Sequence, residues 1–205
     1  MTRAPNGDTD NEVRSRKTPS PFVRLKECDY CQPGMYFVTI CTRHRECLLG
    51  EIVDGEMRLN PLGTMAAACW HAIPHHFSWV VLDEGIIMPN HIHVIIVIQG
   101  RGEASAVPLH VSKEQPTADA SPLRQRPNGT QPRSLSAIVQ NFKSISTRKM
   151  NAARGMLGAS IWQRDFYERI IRTEDELRAI GEYILANPAR WNEDENNPAL
   201  LNSGR

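Results

Sequence analysis

The segment Met88-Pro89-Asn90-His91-Ile92-His93-Val94-Ile95-Ile96-Val97-Ile98 constrains the fold more than any other stretch of the chain. From His91 onward it is apolar except for the two histidines. Side chains of a strand alternate between faces, which puts Ile92, Val94, Ile96 and Ile98 on one side and Ile95 and Val97 with the histidines on the other. Apolar residues on both faces predict a central strand covered on both sides. His91 and His93 then project together as a ready pair of metal ligands. The same spacing also suits two histidines making ordinary hydrogen bonds, so the motif alone does not choose.

A length of 205 residues suits one domain with appendages. Residues 1–20 are polar and read as a disordered tail, residues 21–191 as a single domain, and residues 192–205 as a loose polar tail. Residues 99–133, rich in proline and glycine with little apolar pattern, read as a flexible insertion inside that domain. No apolar signal core or bilayer-length stretch is present, so a soluble cytoplasmic protein without membrane contact is expected. The net charge of +1 announces no nucleic-acid partner, and any such binding must use local patches. Five cysteines, Cys28, Cys31, Cys41, Cys47 and Cys69, fit reduced thiols. Cys28-x-x-Cys31 has the spacing of half a zinc knuckle, but no second half follows. Cys41 and Cys69 lie in apolar patterns and read as core.

Met35 to Cys41 is a β-branched and aromatic run, hence a strand. Asp54-Gly55 marks a hairpin within Cys47 to Met57. Asn60 and Pro61 are start signals for a helix with the stripe Leu62, Met65, Ala66, Cys69 and Ile73, closed by Pro74. Trp79 to Met88 and His91 to Ile98 are strands joined tightly through Pro89-Asn90. Leu135, Ile138, Val139, Phe142 and Ile145 predict an amphipathic helix ending near Asn151. Ile161 to Ile171 reads as extended. The last helix starts at Thr173, with Glu176 at capping-box spacing, buries Leu177, Ile180 and Ile184, and stops at Pro188. This order predicts an α+β fold, ferredoxin-like or RNA-recognition-like, with helices packed on an antiparallel sheet and the histidine pair on a central strand.

Tyr183 and Asn187 are four residues apart on that last helix and share a face. Taken alone they are a packing aromatic and a helix cap. Four segments together carry more: Tyr36-Phe37-Val38-Thr39-Ile40-Cys41-Thr42; Met88 to Val94; Ile161-Trp162-Gln163-Arg164-Asp165-Phe166-Tyr167-Glu168-Arg169-Ile170-Ile171-Arg172; and Tyr183-Ile184-Leu185-Ala186-Asn187-Pro188. In this order they resemble the HUH single-strand DNA transposases with one catalytic tyrosine, most closely the REP-associated tyrosine transposases, over about residues 24 to 191. The resemblance implies a ferredoxin-like fold and a divalent metal, Mg²⁺ or Mn²⁺, held by His91 and His93 with Asn187 as third ligand. It implies Tyr183 as nucleophile, with Tyr167, among arginines, as the fallback. The partner it implies is single-stranded DNA with a palindromic hairpin, bound by a monomer or a homodimer.

The chemistry suits these residue types. Neutral imidazoles and an amide oxygen leave open positions for phosphate at a metal. Tyrosine attack on a phosphodiester gives a 5′-phosphotyrosine and a free 3′-hydroxyl, conserving the bond for rejoining. Lys143, Arg148, Arg164, Arg169 and Arg172 are candidate phosphate contacts, and Trp162 a candidate stacking platform. Each cation suits a solvated surface equally well, and Trp162 a core. The expected activity is that of a metal-dependent single-stranded DNA endonuclease and strand transferase. A catalytically silent hairpin-binding protein is the main alternative, and a metal hydrolase without covalent chemistry is a third.

Overall fold

The computed structural model describes residues 32–100 and 131–202. The expected tail over residues 1–20, the Cys28–Cys31 pair and most of the insertion lie outside the described residues. Strand β1 (Gly34–Cys41) leads through one 3-10 turn, Arg43–Arg45, to a hairpin of β2 (Gly50–Val53) and β3 (Glu56–Leu59). The hairpin turns at Asp54 and Gly55, both at positive φ, as an Asp-Gly pair allows. Helix α1 (Pro61–His71) follows, its first amides at Leu62 and Gly63 bonded to the Asn60 side chain. Pro74 does not close it. The helix stops at His71, and Pro74 sits in the first turn of a separate short helix, α2 (Ile73–His76), where its missing N–H costs nothing.

Strands β4 (Val80–Ile87) and β5 (His91–Ile98) form a tight antiparallel pair. Helix α3 (Leu135–Arg154) is capped by Ser134 and runs three residues beyond Asn151, stopping where Gly155 takes a left-handed conformation. Strand β6 (Tyr167–Ile171), helix α4 (Glu174–Ala186), a 3-10 segment Pro188–Glu193 and helix α5 (Pro198–Asn202) complete the order.

The main sheet has the order β4-β5-β1-β6, with every neighbouring pair antiparallel. With α1 between its first two strands and α3 between its last two, this is the ferredoxin-like arrangement. Helices α1 and α3 cover one face. Trp70, Ile138, Val139 and Phe142 pack there against Val38, Ile40, Ile92, Val94 and Ile96. Helix α4 covers the other face with Leu177, Ile180 and Ile184 on Phe37, Ile95 and Ile171. β5 is central and apolar on both faces, as its sequence predicts. The histidine face is the one that α4 shares.

Residues 192–202 are not loose. Asp194, Asn196 and Asn197 are buried. Part of their polarity is spent locally: Asp194 Oδ1 accepts from the Asn196 amide, and Asn197 donates to the Trp191 carbonyl and caps α5 at the Ala199 amide. Polarity here reflects capping rather than solvation.

Candidate active site

The register of β1 on β5 sets the site. Cys41 lies opposite His91, Thr39 opposite His93 and Phe37 opposite Ile95. Phe37 stacks on the His93 ring at 5.4 Å between centroids. Helix α4 is fixed at its start by the Thr173 hydroxyl accepting from the Glu176 amide. It carries Tyr183 to the rim of the histidine pair. The Tyr183 hydroxyl is 3.4 Å from His93 Nε2, and its side chain remains 43% exposed, open to a ligand.

Both imidazoles are buried and neutral. Burial, then the nearby Arg45 charge, pushes His91 down to about 3. Burial, then His91, pushes His93 to about 3 against the pull of Asp194. Their tautomers follow from their partners. Asn90 donates through Nδ2 to the carbonyls of Arg45 (2.9 Å) and Asn196 (2.7 Å), which fixes its amide orientation. Its Oδ1 therefore faces His91 Nδ1 at 2.9 Å as an acceptor, so that nitrogen carries the proton and His91 Nε2 is bare. His93 is less constrained, because the Thr39 hydroxyl 2.9 Å from its Nδ1 can give or take a proton.

The two Nε2 atoms are 2.9 Å apart. Two donors about 2.05 Å from one cation and at right angles to each other are separated by about that much. Asp194 Oδ2 lies 3.6 Å from His91 Nε2, and the three ligand atoms of His91, His93 and Asp194 fall within 4.8 Å of one another. Asp194 Oδ2 and Asn187 Oδ1 are buried without a hydrogen-bond donor. Buried acceptors are rarely left so. The bare His91 nitrogen, a His93 nitrogen that can release its proton because Thr39 can bond either tautomer, and an orphaned carboxylate oxygen suit a divalent cation that accepts both N and O ligands. Asn187 is buried at the end of α4, one helical turn after Tyr183. Asp194 is the ligand candidate that sequence reading missed. It sits in a polar stretch with no motif around it, and only the path of the chain after Pro188 brings it to β5.

A cleft of about 300 Å³ opens beside the pair, lined among others by Phe37, Arg45, His93, Gln163, Tyr167 and Tyr183. Tyr167 lies edge-on to Phe37 at 6.2 Å between centroids. It shares the cleft, but its hydroxyl makes no contact with the histidines among the described residues. Burial is the main cause raising Tyr183 above the ordinary range, the Asp194 charge adds to it, and the Asn187 side chain opposes it.

The DNA-contact candidates separate. Trp162 is not available for stacking. It is buried in the α1–α3 layer, tilted against Phe142, with Nε1 donating to Ser146. Lys143 is not a free surface cation either. Its Nζ donates to the carbonyls of Gln163, Arg164 and Asp165, and burial pulls its pKa down to about 8. Arg169 is ion-paired with Glu176 at 2.9 Å. Arg164 and Arg172 are exposed near the cleft strand, whereas the exposed Arg148 belongs to α3, across the sheet from the histidines.

No family model matches the chain. It is 39% identical over 175 residues to an uncharacterized protein of Haemophilus influenzae, covering 84% of this chain and 90% of that one. Among solved structures it is similar to a REP-associated tyrosine transposase bound to a REP hairpin. The TM-score is 0.51 at 17% identity, over 82% of this chain and 74% of the other. Among the described residues, no helix is long and apolar enough to cross a membrane.

Proposed function

We propose that this chain, which belongs to one family with the Haemophilus influenzae protein and has the fold of a REP-associated tyrosine transposase, is a metal-dependent single-stranded DNA nuclease and strand transferase of the cytoplasm. The observation that carries the reading is the Tyr183 hydroxyl standing 3.4 Å from His93 Nε2, within a single chain and open to solvent. His91, His93 and Asp194 would hold a divalent cation, Mg²⁺ or Mn²⁺, and the unpartnered Asn187 Oδ1 is the candidate for a further oxygen donor. The bound ion supplies a positive charge that polarises a non-bridging oxygen of the scissile phosphate.

The chain's own residues do the rest. Tyr183 is a phenol at neutral pH and surrenders its proton to solvent water as Oη attacks phosphorus. The bond to the 3′-oxygen breaks, that oxygen takes a proton from solvent, and the 5′-phosphate remains on Tyr183. Reversal by another 3′-hydroxyl rejoins the strand. Asn187 steadies the tyrosine oxygen through its amide. Arg45 in the cleft wall, with Arg164 and Arg172 outside it, faces the backbone phosphates. In this reading the tyrosine acts in cis, an arrangement that the Tyr183–His93 approach within one chain supports and that requires no second copy. The similar structure holds a REP hairpin, and we extend that substrate class, single-stranded DNA bearing a hairpin, to this chain.

The test is trapping on labelled hairpin-bearing single-stranded DNA, with Mn²⁺ or chelator, for wild type, Tyr183→Phe and Tyr167→Phe. A metal-dependent, denaturant-stable adduct lost only in Tyr183→Phe is expected. An adduct that persists in Tyr183→Phe sinks the assignment. Tight hairpin binding without any adduct would make the chain a silent hairpin-binding protein. Turnover by Tyr183→Phe that disappears in His91→Ala would make it a hydrolase.

A further inference from the structure

Asn90 is fully buried, and every hydrogen-bonding atom of its side chain is committed. Nδ2 serves two carbonyls from different parts of the chain, Arg45 after β1 and Asn196 after the 3-10 segment. Oδ1 serves His91 Nδ1. Its backbone carbonyl accepts from Thr42. The Arg45 carbonyl it holds belongs to a strained turn, since His44 and Arg45 both have positive φ (57° and 55°). Non-glycine residues persist there only when surrounding contacts enforce it.

These contacts make one amide the junction of three segments: the strand with both histidines, the strained turn, and the stretch Asp194–Asn197. The Asp194 stretch has few other anchors to the sheet. Arg45 donates to the Glu195 carbonyl at an exposed site, and the Cys41 thiol reaches Asn196 Oδ1 at 3.7 Å. The buried hydrogen bond among them is the one from Asn90, beside the 3.6 Å approach of Asp194 to His91. His91 and Asp194 thus depend on the same side chain, one for its tautomer and the other for its place.

We propose that Asn90 is the positioning residue of the metal centre. It keeps the His91 proton on Nδ1 so that Nε2 is free to bind, and it fastens the segment that brings Asp194 beside that nitrogen. This rests on the metal reading above, and on chemistry common to metal-bound histidines, whose second nitrogen is held by an acceptor. A serine or alanine at position 90 would satisfy neither demand. An aspartate would satisfy one: its oxygen still accepts from His91, but it offers nothing to the two carbonyls.

The experiment uses the full chain and its Asn90→Asp and Asn90→Ala variants. Three readouts are taken: imidazole nitrogen tautomers by NMR without metal, amide exchange across residues 194–197, and Mn²⁺ affinity by electron paramagnetic resonance. In wild type, His91 is expected to carry its proton on Nδ1. Asn90→Asp is expected to keep that tautomer while exchange at 194–197 accelerates at least tenfold. Asn90→Ala is expected to lose both and to bind Mn²⁺ about 10- to 100-fold more weakly. A wild-type His91 protonated on Nε2, or an Asn90→Asp protein with unchanged exchange, overturns the proposal even if Asn90→Ala fails to fold. Wild type that binds no Mn²⁺ overturns the metal reading itself, and the proposal with it.

Discussion

Two buried neutral imidazoles make the protein sensitive to acid in a calculable way. In the unfolded chain a histidine has a pKa of about 6.5, whereas His91 and His93 are held to about 3 in the fold. The unfolded state therefore binds more protons below pH 6.5. Stability is fully present above that pH and is lost as pH falls from 6.5 toward 3. Between pH 7 and pH 5 each unfolded imidazole gains about 2 kcal/mol, so the pair costs about 4 kcal/mol. That is a large share of the 5–15 kcal/mol typical of a domain. Urea unfolding in chelator at the two pH values measures it. His93→Gln removes one titrating group, and its pH-dependent loss should be about 2 kcal/mol. Wild type losing less than about 1 kcal/mol would mean that the folded pair accepts a proton, with the Asp194 carboxylate 3.6 Å away as its counterion, and would refute the neutral-pair reasoning.

Asp194→Asn removes a charged ligand but keeps an oxygen, and Mn²⁺ affinity by isothermal titration should fall at least tenfold, an effect His75→Asn on the surface should not reproduce. Lys143→Met leaves three carbonyls of residues 163–165 without their donor, so amide exchange there should rise and the melting temperature should drop by several degrees. Gly63→Ala would place a Cβ 2.0 Å from the Leu49 carbonyl oxygen. The first turn of α1 must then shift, and a loss of about 1–3 kcal/mol is expected in denaturant unfolding.

The elements that sequence reading recovers are those with strong local chemistry. β5 is legible because apolar residues on both faces leave few alternatives for a strand. α4 is legible because Thr173 and Glu176 mark its start and Pro188 its end. What escapes is whatever depends on register or on distant chain. That Thr39 meets His93 is a property of the β1–β5 pairing, which no local pattern encodes. Asp194 escapes because a polar stretch that caps its own backbone looks like one that is solvated. Trp162 and Lys143 stay ambiguous in the sequence, which suits a core or a solvated surface as well as a nucleic-acid one. An aromatic and a lysine beside arginines read as a nucleic-acid surface, yet the indole finds a buried partner in Ser146 and the ammonium finds three carbonyls. Asn90 was visible in the motif but reads as a turn residue. Two of its three side-chain bonds reach segments 45 and 106 residues away.

The distance along the chain between His93 and Tyr183, 90 residues, has a consequence for when the candidate site is complete. A ribosome adds about 5–20 residues per second, so the tyrosine is made roughly 5–20 s after the histidine pair. Until then β5 lacks the helix α4 that covers its histidine face, β1 lacks its edge partner β6, and the site has neither Tyr183 nor Asp194. Under the proposed function a nascent chain cannot cleave nucleic acid while it is still being translated, because the site is complete only when the last segments close over the sheet.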